Sequence, residues 1–274
     1  MDLWGKPISD NIKNEIIELL KNAKEKPILA IIRVGEEPDQ LTYERSAIKK
    51  LSGFGIDVRT FVYQKNISAY DFEEEFKKIN SNIHIRGILI LRPLPSQLSI
   101  DILSKMIDPK KDLDGISPFN MEKIMIEDDD GLATCTAQAT LEILKGYNIN
   151  IASKHAVIVN NSLVVGKSLA MLLLKEDATV TICHTKTDNL KELCKLADIL
   201  VVATGNARLF DDNYIKDGAV VIDIGINFDK EGKLCGDCNY ELMCHKASFI
   251  TPVPGGVGAV TTAVLGKHLT KNLL

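Results

Sequence analysis

Asn160-Asn161-Ser162-Leu163-Val164-Val165-Gly166 follows the apolar run 157–159 and leads into an amphipathic stretch. That order is strand, tight turn, helix. The backbone N–H groups at such a helix start can face a pyrophosphate, and glycine or a short polar residue is what lets the chain turn there. The first two glycines of the common dinucleotide fingerprint are missing, and an ordinary strand-to-helix turn has the same outline. A second signal lies one strand on, at Cys183-His184-Thr185-Lys186-Thr187. NAD sites place a carboxylate near there for the ribose hydroxyls. Hydroxyls and a cation stand here instead, which favours NADP over NAD; a surface lysine at a strand end would look the same. The third signal is 251–265, TPVPGGVGAVTTAVL. Its prolines stiffen the chain and its glycine pair admits close approach, as a ligand loop or a domain hinge requires.

Cys235-Gly-Asp-Cys238 with Cys244 and His245 offers four atoms that could ligate zinc. A turn with incidental small apolar residues explains them as simply, and no second Cys-x-x-Cys follows. No metal is expected. The six cysteines of a 274-residue chain are too few for a disulfide framework and read as reduced thiols.

These residues need a scaffold. Apolar residues make up 45% of the chain and charged residues 26%, ordinary globular usage that excludes disorder and collagen-like repeats. With 33 basic against 37 acidic residues the net charge is −4, and no basic block suggests nucleic acid. No apolar run reaches membrane-spanning length and the start of the chain lacks an export signal, so a cytoplasmic protein is expected. Apolar periodicity predicts a helix over 9–23 capped by Ser9 or Asp10. A strand at 27–35, a helix at 39–53, a strand at 57–63, a helix at 69–80 and a strand at 87–91 follow, which makes βαβαβ and a parallel sheet. The second half reads as helix 136–148, strand 155–160, helix 164–175, strand 179–184, helix 189–196 and strands 198–204, 219–226 and 249–253. A last helix spans about 258–273. The class is α/β with two domains, each on a parallel sheet, and a cleft between two such domains is a common ligand site.

Further motifs give the chain a family likeness. Ile250-Thr-Pro-Val-Pro-Gly-Gly-Val-Gly258, Pro109-Lys-Lys-Asp-Leu-Asp-Gly115 with Pro118-Phe-Asn120, Gly87-Ile-Leu-Ile with Pro93-Leu-Pro95, and Val221-Ile-Asp-Ile-Gly-Ile-Asn227 lie across almost its full length. Together with Cys183-His184 they resemble the bifunctional methylenetetrahydrofolate dehydrogenase/methenyltetrahydrofolate cyclohydrolase family. The resemblance implies an N-terminal α/β folate domain, 1–135, joined by the C-terminal helix 258–274, and a Rossmann-type NAD(P)-binding domain, 136–257. It implies tetrahydrofolate one-carbon derivatives as substrates, NADP (alternatively NAD) as cofactor, and a cytosolic homodimer. By motif position, Tyr43, Leu91, Asp114, Pro254, Gly255 and Gly256 would meet folate. Asn160, Asn161, Ser162, Gly166, Thr185, Lys186, Gly205 and Ile226 would meet the dinucleotide. Tyr43 and Asp114 are the implied catalytic pair, and His184 reads as structural.

The chain departs from the family where proton transfer is done. The family lysine lies four residues after the tyrosine, and Ala47 stands there; the family glutamine before the Pro-Leu-Pro turn is Leu91. Lys50, two helical turns from Tyr43, is the nearest candidate replacement, although a solvated surface lysine is the plainer reading. Ala137, Ala139, Ala259 and Val260 also replace family residues, and Asn161 lacks the charge of the arginine found there in many members. Ring opening of the methenyl group is expected to be lost or weakened, with hydride transfer retained. The rival readings are another dinucleotide dehydrogenase and a folate-binding homologue without turnover.

Overall fold

The computed structural model describes residues 1–23 and 25–271. The chain divides into two compact units, one of residues 11–132 with 262–274 and one of residues 1–10 with 133–261. The division falls within the first helix, α1 (Gly5–Lys21), and the last, Gly258–Lys271.

In the 11–132 unit the order is β1 (Ile28–Val34), α2 (Pro38–Ser52), β2 (Asp57–Tyr63), α3 (Ala69–Ser81), β3 (Ile85–Ile90), α4 (Ile100–Met106) and α5 (Pro118–Met125). The strands run parallel in the order β2-β1-β3. β1 is central and every residue in it is buried, as a strand covered on both faces demands. β2 is an edge and alternates between exposed and half-buried positions. Phe72, Phe76, Ile79 and Leu103 seat the helices on Ala30, Ile32, Ile88 and Ile90. Ser68, Ser99 and Ser117 cap α3, α4 and α5 by accepting the N–H groups of Asp71, Ile102 and Asn120.

The other unit continues with α6 (Cys135–Gly146), β4 (His155–Val159), a π turn at Leu163–Lys167, α7 (Ser168–Lys175), β5 (Thr179–Cys183), α8 (Leu190–Lys195), β6 (Ile199–Val202) and β7 (Val220–Asp223). A two-stranded antiparallel hairpin, β8 (Asn227–Phe228) with β9 (Leu234–Cys235), then precedes α9 (Tyr240–Met243), β10 (Phe249–Ile250) and α10 (Gly258–Lys271). Five parallel strands stand in the order β10-β7-β6-β4-β5. The chain steps outward from β4 to β5 and then returns to the other side of β4 as β6, so the strand order reverses between β4 and β6. Residues 1–3 run beside β10: Leu3 N–H donates to Ile250 O at 2.8 Å and Ile250 N–H to Met1 O at 3.1 Å.

Both parallel α/β sheets and most element positions match the sequence expectation. Helix α1 starts earlier than Ser9 or Asp10, because Gly5 N–H donates to Gly255 O at 2.8 Å and Ser9 is buried rather than capping. The helix expected from 164 opens as a π turn capped by Ser162. The strands expected over 198–204, 219–226 and 249–253 are shorter. Asp223 ends β7 by accepting the Gly225 N–H at 2.9 Å, and Pro252 and Pro254 follow β10 without ladder donors. The expected end of the last helix, 272–273, lies outside the described residues.

Candidate active site

At the carboxyl ends of β4 and β6, where the strand order reverses, Asn160 bridges the two strands. Its Nδ2 donates to Ala203 O at 2.7 Å. Its Oδ1 accepts Ser162 N–H at 2.9 Å, Ser162 Oγ–H at 2.7 Å and Gly166 N–H at 3.0 Å. The side chain therefore forms the turn that a glycine-rich sequence would otherwise form. Gly166 is required by contact rather than by dihedral, since a Cβ there would lie 1.7 Å from Asn160 O. Asn161 and Ser162 remain exposed beside the turn.

The neighbouring strand ends carry the remaining predicted dinucleotide residues. Thr185 and Lys186 are exposed past β5, where His184 Nδ1 accepts the Lys186 N–H at 3.1 Å and shapes the loop. Past β6, Gly205 takes a φ of +70° with open space where a Cβ would project. A fully buried acid, Asp237, holds this loop: it accepts the N–H groups of Thr204, Gly205 and Asn206, the Thr204 hydroxyl at 3.0 Å and Asn227 Nδ2 at 2.8 Å. Asp223 in turn accepts the N–H groups of Asp237 and Cys238 at 3.0 and 2.8 Å, and burial pushes its carboxyl above the usual range. Both acids lie in runs quoted above, Asp223 in 221–227 and Asp237 in 235–238, but sequence reasoning gave neither a role, because each collects donors that only the fold brings together.

Ile226 is exposed, and with Pro254, Gly255 and Gly256 it lines a cavity of about 290 Å³. Exposed turns at three adjacent strand ends, a capped first helical turn and a glycine where no side chain fits suit an extended dinucleotide. The cysteine cluster supplies no ligands of this kind. Cys235 and Cys238 are buried, burial pushes the Cys238 thiol well up, and among the described residues no group of three or more His, Cys, Asp or Glu is placed to hold a metal ion.

In the 11–132 unit the strand order also reverses, between β1 and β3. Past these strand ends lie the start of α2, the turn 91–95 and the loop 108–115. Tyr43 is exposed on α2, while the buried residues of that helix are Gln40, Glu44, Ala47 and Leu51. Ala47 is fully buried and Leu91 is 5% exposed, so packed apolar groups stand where the resemblance implied a lysine and a glutamine. Lys50 falls in the last turn of α2, about 10 Å along the axis from Tyr43 at 1.5 Å per residue. Asp114 is engaged by Arg92, whose Nη2 donates to Asp114 Oδ2 at 2.6 Å. Gln40 Nε2 donates to Pro93 O at 2.8 Å, and the buried Gln40 Oε1 accepts no hydrogen bond from the described residues. Arg33 on β1 reaches across to Glu44, Nε to Oε2 2.5 Å, and also donates to Gly35 O. Gln40, Arg33, Glu44 and Arg92 were not singled out from sequence; the arginine next to the Pro-Leu-Pro turn was the one visible cue.

Known proteins resemble this chain in sequence and backbone. The catalytic-domain model of tetrahydrofolate dehydrogenase/cyclohydrolase matches residues 3–114, and the NAD(P)-binding-domain model of the same enzymes matches residues 134–273. A bifunctional protein FolD of Alkaliphilus oremlandii is 47% identical over 272 residues, covering 98% of this chain and 95% of that protein. The structure of the bifunctional enzyme FolD, methylenetetrahydrofolate dehydrogenase/cyclohydrolase, from Campylobacter jejuni superposes with a TM-score of 0.97. It is 35% identical and covers 100% of this chain and 98% of that one. The Trypanosoma brucei methylenetetrahydrofolate dehydrogenase-cyclohydrolase, solved with NADP and an inhibitor, gives a TM-score of 0.89 at 31% identity, covering 98% and 94%. Matched in sequence and backbone over nearly its full length, the chain belongs to the tetrahydrofolate dehydrogenase/cyclohydrolase family.

Proposed function

We propose that this chain oxidises 5,10-methylenetetrahydrofolate to 5,10-methenyltetrahydrofolate with NADP, in one-carbon metabolism, and that it opens the methenyl ring slowly. Family membership supports the substrate class and the dehydrogenase/cyclohydrolase chemistry, and the NADP-bound trypanosomal relative supports the cofactor. The balance between the two steps rests on one observation: buried Ala47 and Leu91 occupy the positions from which the family moves protons.

When bound, the nicotinamide accepts the hydride that leaves the methylene carbon. Asn160, Asn161, Ser162 and Gly166 would hold the pyrophosphate, and Thr185 and Lys186 the ribose phosphate. Gly205 and Ile226 would flank the rest of the dinucleotide, with Asp237 fixing the loop that contains Gly205. Tyr43 would pack on the pterin and hydrogen-bond through its hydroxyl, and Asp114 would accept the ring's N–H donors. Pro254, Gly255 and Gly256 would line the folate side, with Leu91 as an apolar wall. Hydride loss is assisted by the lone pair of the substrate's own nitrogen, so alignment is the protein's main task. Ring opening needs a water activated and a proton moved. A positioned acid–base group is worth ~10²–10⁴-fold, and neither Ala47 nor Leu91 can supply it.

The test is a paired assay on one preparation: oxidation with NADP and with NAD, and methenyl hydrolysis against the buffer rate. Turnover with NADP and hydrolysis close to buffer are expected; strong enzyme-dependent hydrolysis overturns the second half of the reading. Deuteride transfer from labelled methylenetetrahydrofolate separates this reading from another dehydrogenase and from a homologue without turnover. The resemblance also supports a cytosolic homodimer, which sedimentation and cell fractionation test. No helix among the described residues is long and apolar enough to cross a membrane.

A further inference from the structure

Two ion pairs in the 11–132 unit differ in how closely they are sealed. The side chains of Arg33 and Glu44 are 9% and 11% exposed, and those of Arg92 and Asp114 are 33% and 18% exposed. The first is interior structure. The second stands open at the carboxyl end of the sheet, beside the point where the strand order reverses, which is where ligands of such sheets lie. Arg92 is held there from two sides: Asp114 takes its guanidinium, and Gln40 grips the carbonyl of the next residue, Pro93, from the helix that carries Tyr43. Positions 47 and 91 are apolar and buried. Lys49 and Lys50 occupy the last turn of α2, at the end of the helix opposite its start at Pro38.

We propose that Arg92 is a positioning residue for the folate substrate: by donating to Oδ2 it holds the Asp114 carboxylate in one orientation for the donors of the pterin ring. This rests on the reading of Asp114 as a folate contact. A guanidinium stays protonated at any working pH, so it orients and compensates charge without moving a proton. The role differs from that of a lysine, which can lose its proton, and it accords with oxidation kept and ring opening lost. Removing Arg92 takes away the bond that orients the carboxylate; removing Asp114 takes from Arg92 the anion that offsets it, and the remaining cation opposes the charge that develops on the substrate.

The experiment uses the full chain with Arg92→Leu, Arg92→Lys, Asp114→Asn and the Arg92→Leu/Asp114→Asn double variant. KM and kcat are measured for methylenetetrahydrofolate, and KM for NADP, as a check on folding. Arg92→Leu is expected to raise the folate KM about tenfold, the loss of one charge-assisted bond, with the NADP KM within about twofold. Arg92→Lys recovers part of that loss, because one nitrogen makes the contact. The double variant is less impaired than the product of the single effects, since the two residues act as a unit. If Asp114→Asn raises the folate KM and Arg92→Leu does not, the role of Arg92 is overturned and Asp114 stands. Equal losses in Arg92→Lys and Arg92→Leu also overturn it. If Asp114→Asn leaves the folate KM unchanged, the reading of Asp114 fails, and the inference fails with it.

Discussion

At the carboxyl end of β4, Asn160 donates to Ala203 O and accepts three hydrogen bonds on Oδ1. Past β1, Gln40 donates to Pro93 O and, among the described residues, accepts none on Oε1. Each amide ties together the two segments that flank the reversal of its sheet. Swapping O and N does not repair Gln40, because a carbonyl cannot donate to the Pro93 carbonyl. The dinucleotide unit thus completes its turn from within. The other unit rests the same tie on one donated bond, the described residues placing no donor on the Gln40 oxygen. The difference teaches that the first turn is tied by the four bonds of one side chain, and that the second combines a single amide bond with the Arg33–Glu44 and Arg92–Asp114 ion pairs.

That contrast can be broken or sharpened by substitution. The largest effect is expected from Glu44→Ala. It strands the Arg33 guanidinium in the interior, and breaking such a buried pair costs about 3–5 kcal/mol, read as a lower urea midpoint. A small loss would show that the ion pair does not hold this unit together. Asn160→Ala removes one donor and the acceptor of three bonds, so about 2–3 kcal/mol is expected, together with a higher KM for NADP and an unchanged KM for folate. Gln40→Leu loses the one bond to Pro93 O, so the cost in stability should stay at about 1 kcal/mol. If Gln40→Leu costs as much as Asn160→Ala, the two amides are equivalent and the comparison fails. The smallest effect concerns pH and belongs to the dinucleotide unit alone. Asp198 accepts from Lys216 Nζ at 2.6 Å and from His155 N–H at 2.8 Å, which holds its carboxyl below the usual carboxylate range. Its contribution is full above the unfolded value near 4 and fades as pH falls through the lowered folded value. The stability gap between the native chain and Asp198→Asn should therefore close in acid.

The sequence showed the scaffold well where its periodicity was strong. Strand β2 matches its expected span, and β1, β4 and β5 match within a residue at each end, because buried runs between turn residues are unambiguous. The short helices α4 and α5 were missed although Ser99 and Ser117 cap them, since seven or eight residues hold too few periods to stand out. The site was legible as motifs and not as bonds. Asp114 was visible in its acidic run, but its partner Arg92 lies 22 residues away and pairs with it only through the fold. The replacement of a lysine by Ala47 could be read directly; the Arg33–Glu44 pair beside it could not, because one member sits on a strand and the other on a helix.

Residues 1–3 occupy the sheet edge beside β10, with the Met1 ammonium donating to Ser248 O at 2.7 Å. The two ends of this contact lie 247 positions apart in the chain, whereas β4 pairs with β6 and β6 with β7 over far shorter separations. Closing the larger loop carries the larger entropy cost, so this edge is expected to zip after those pairings have formed.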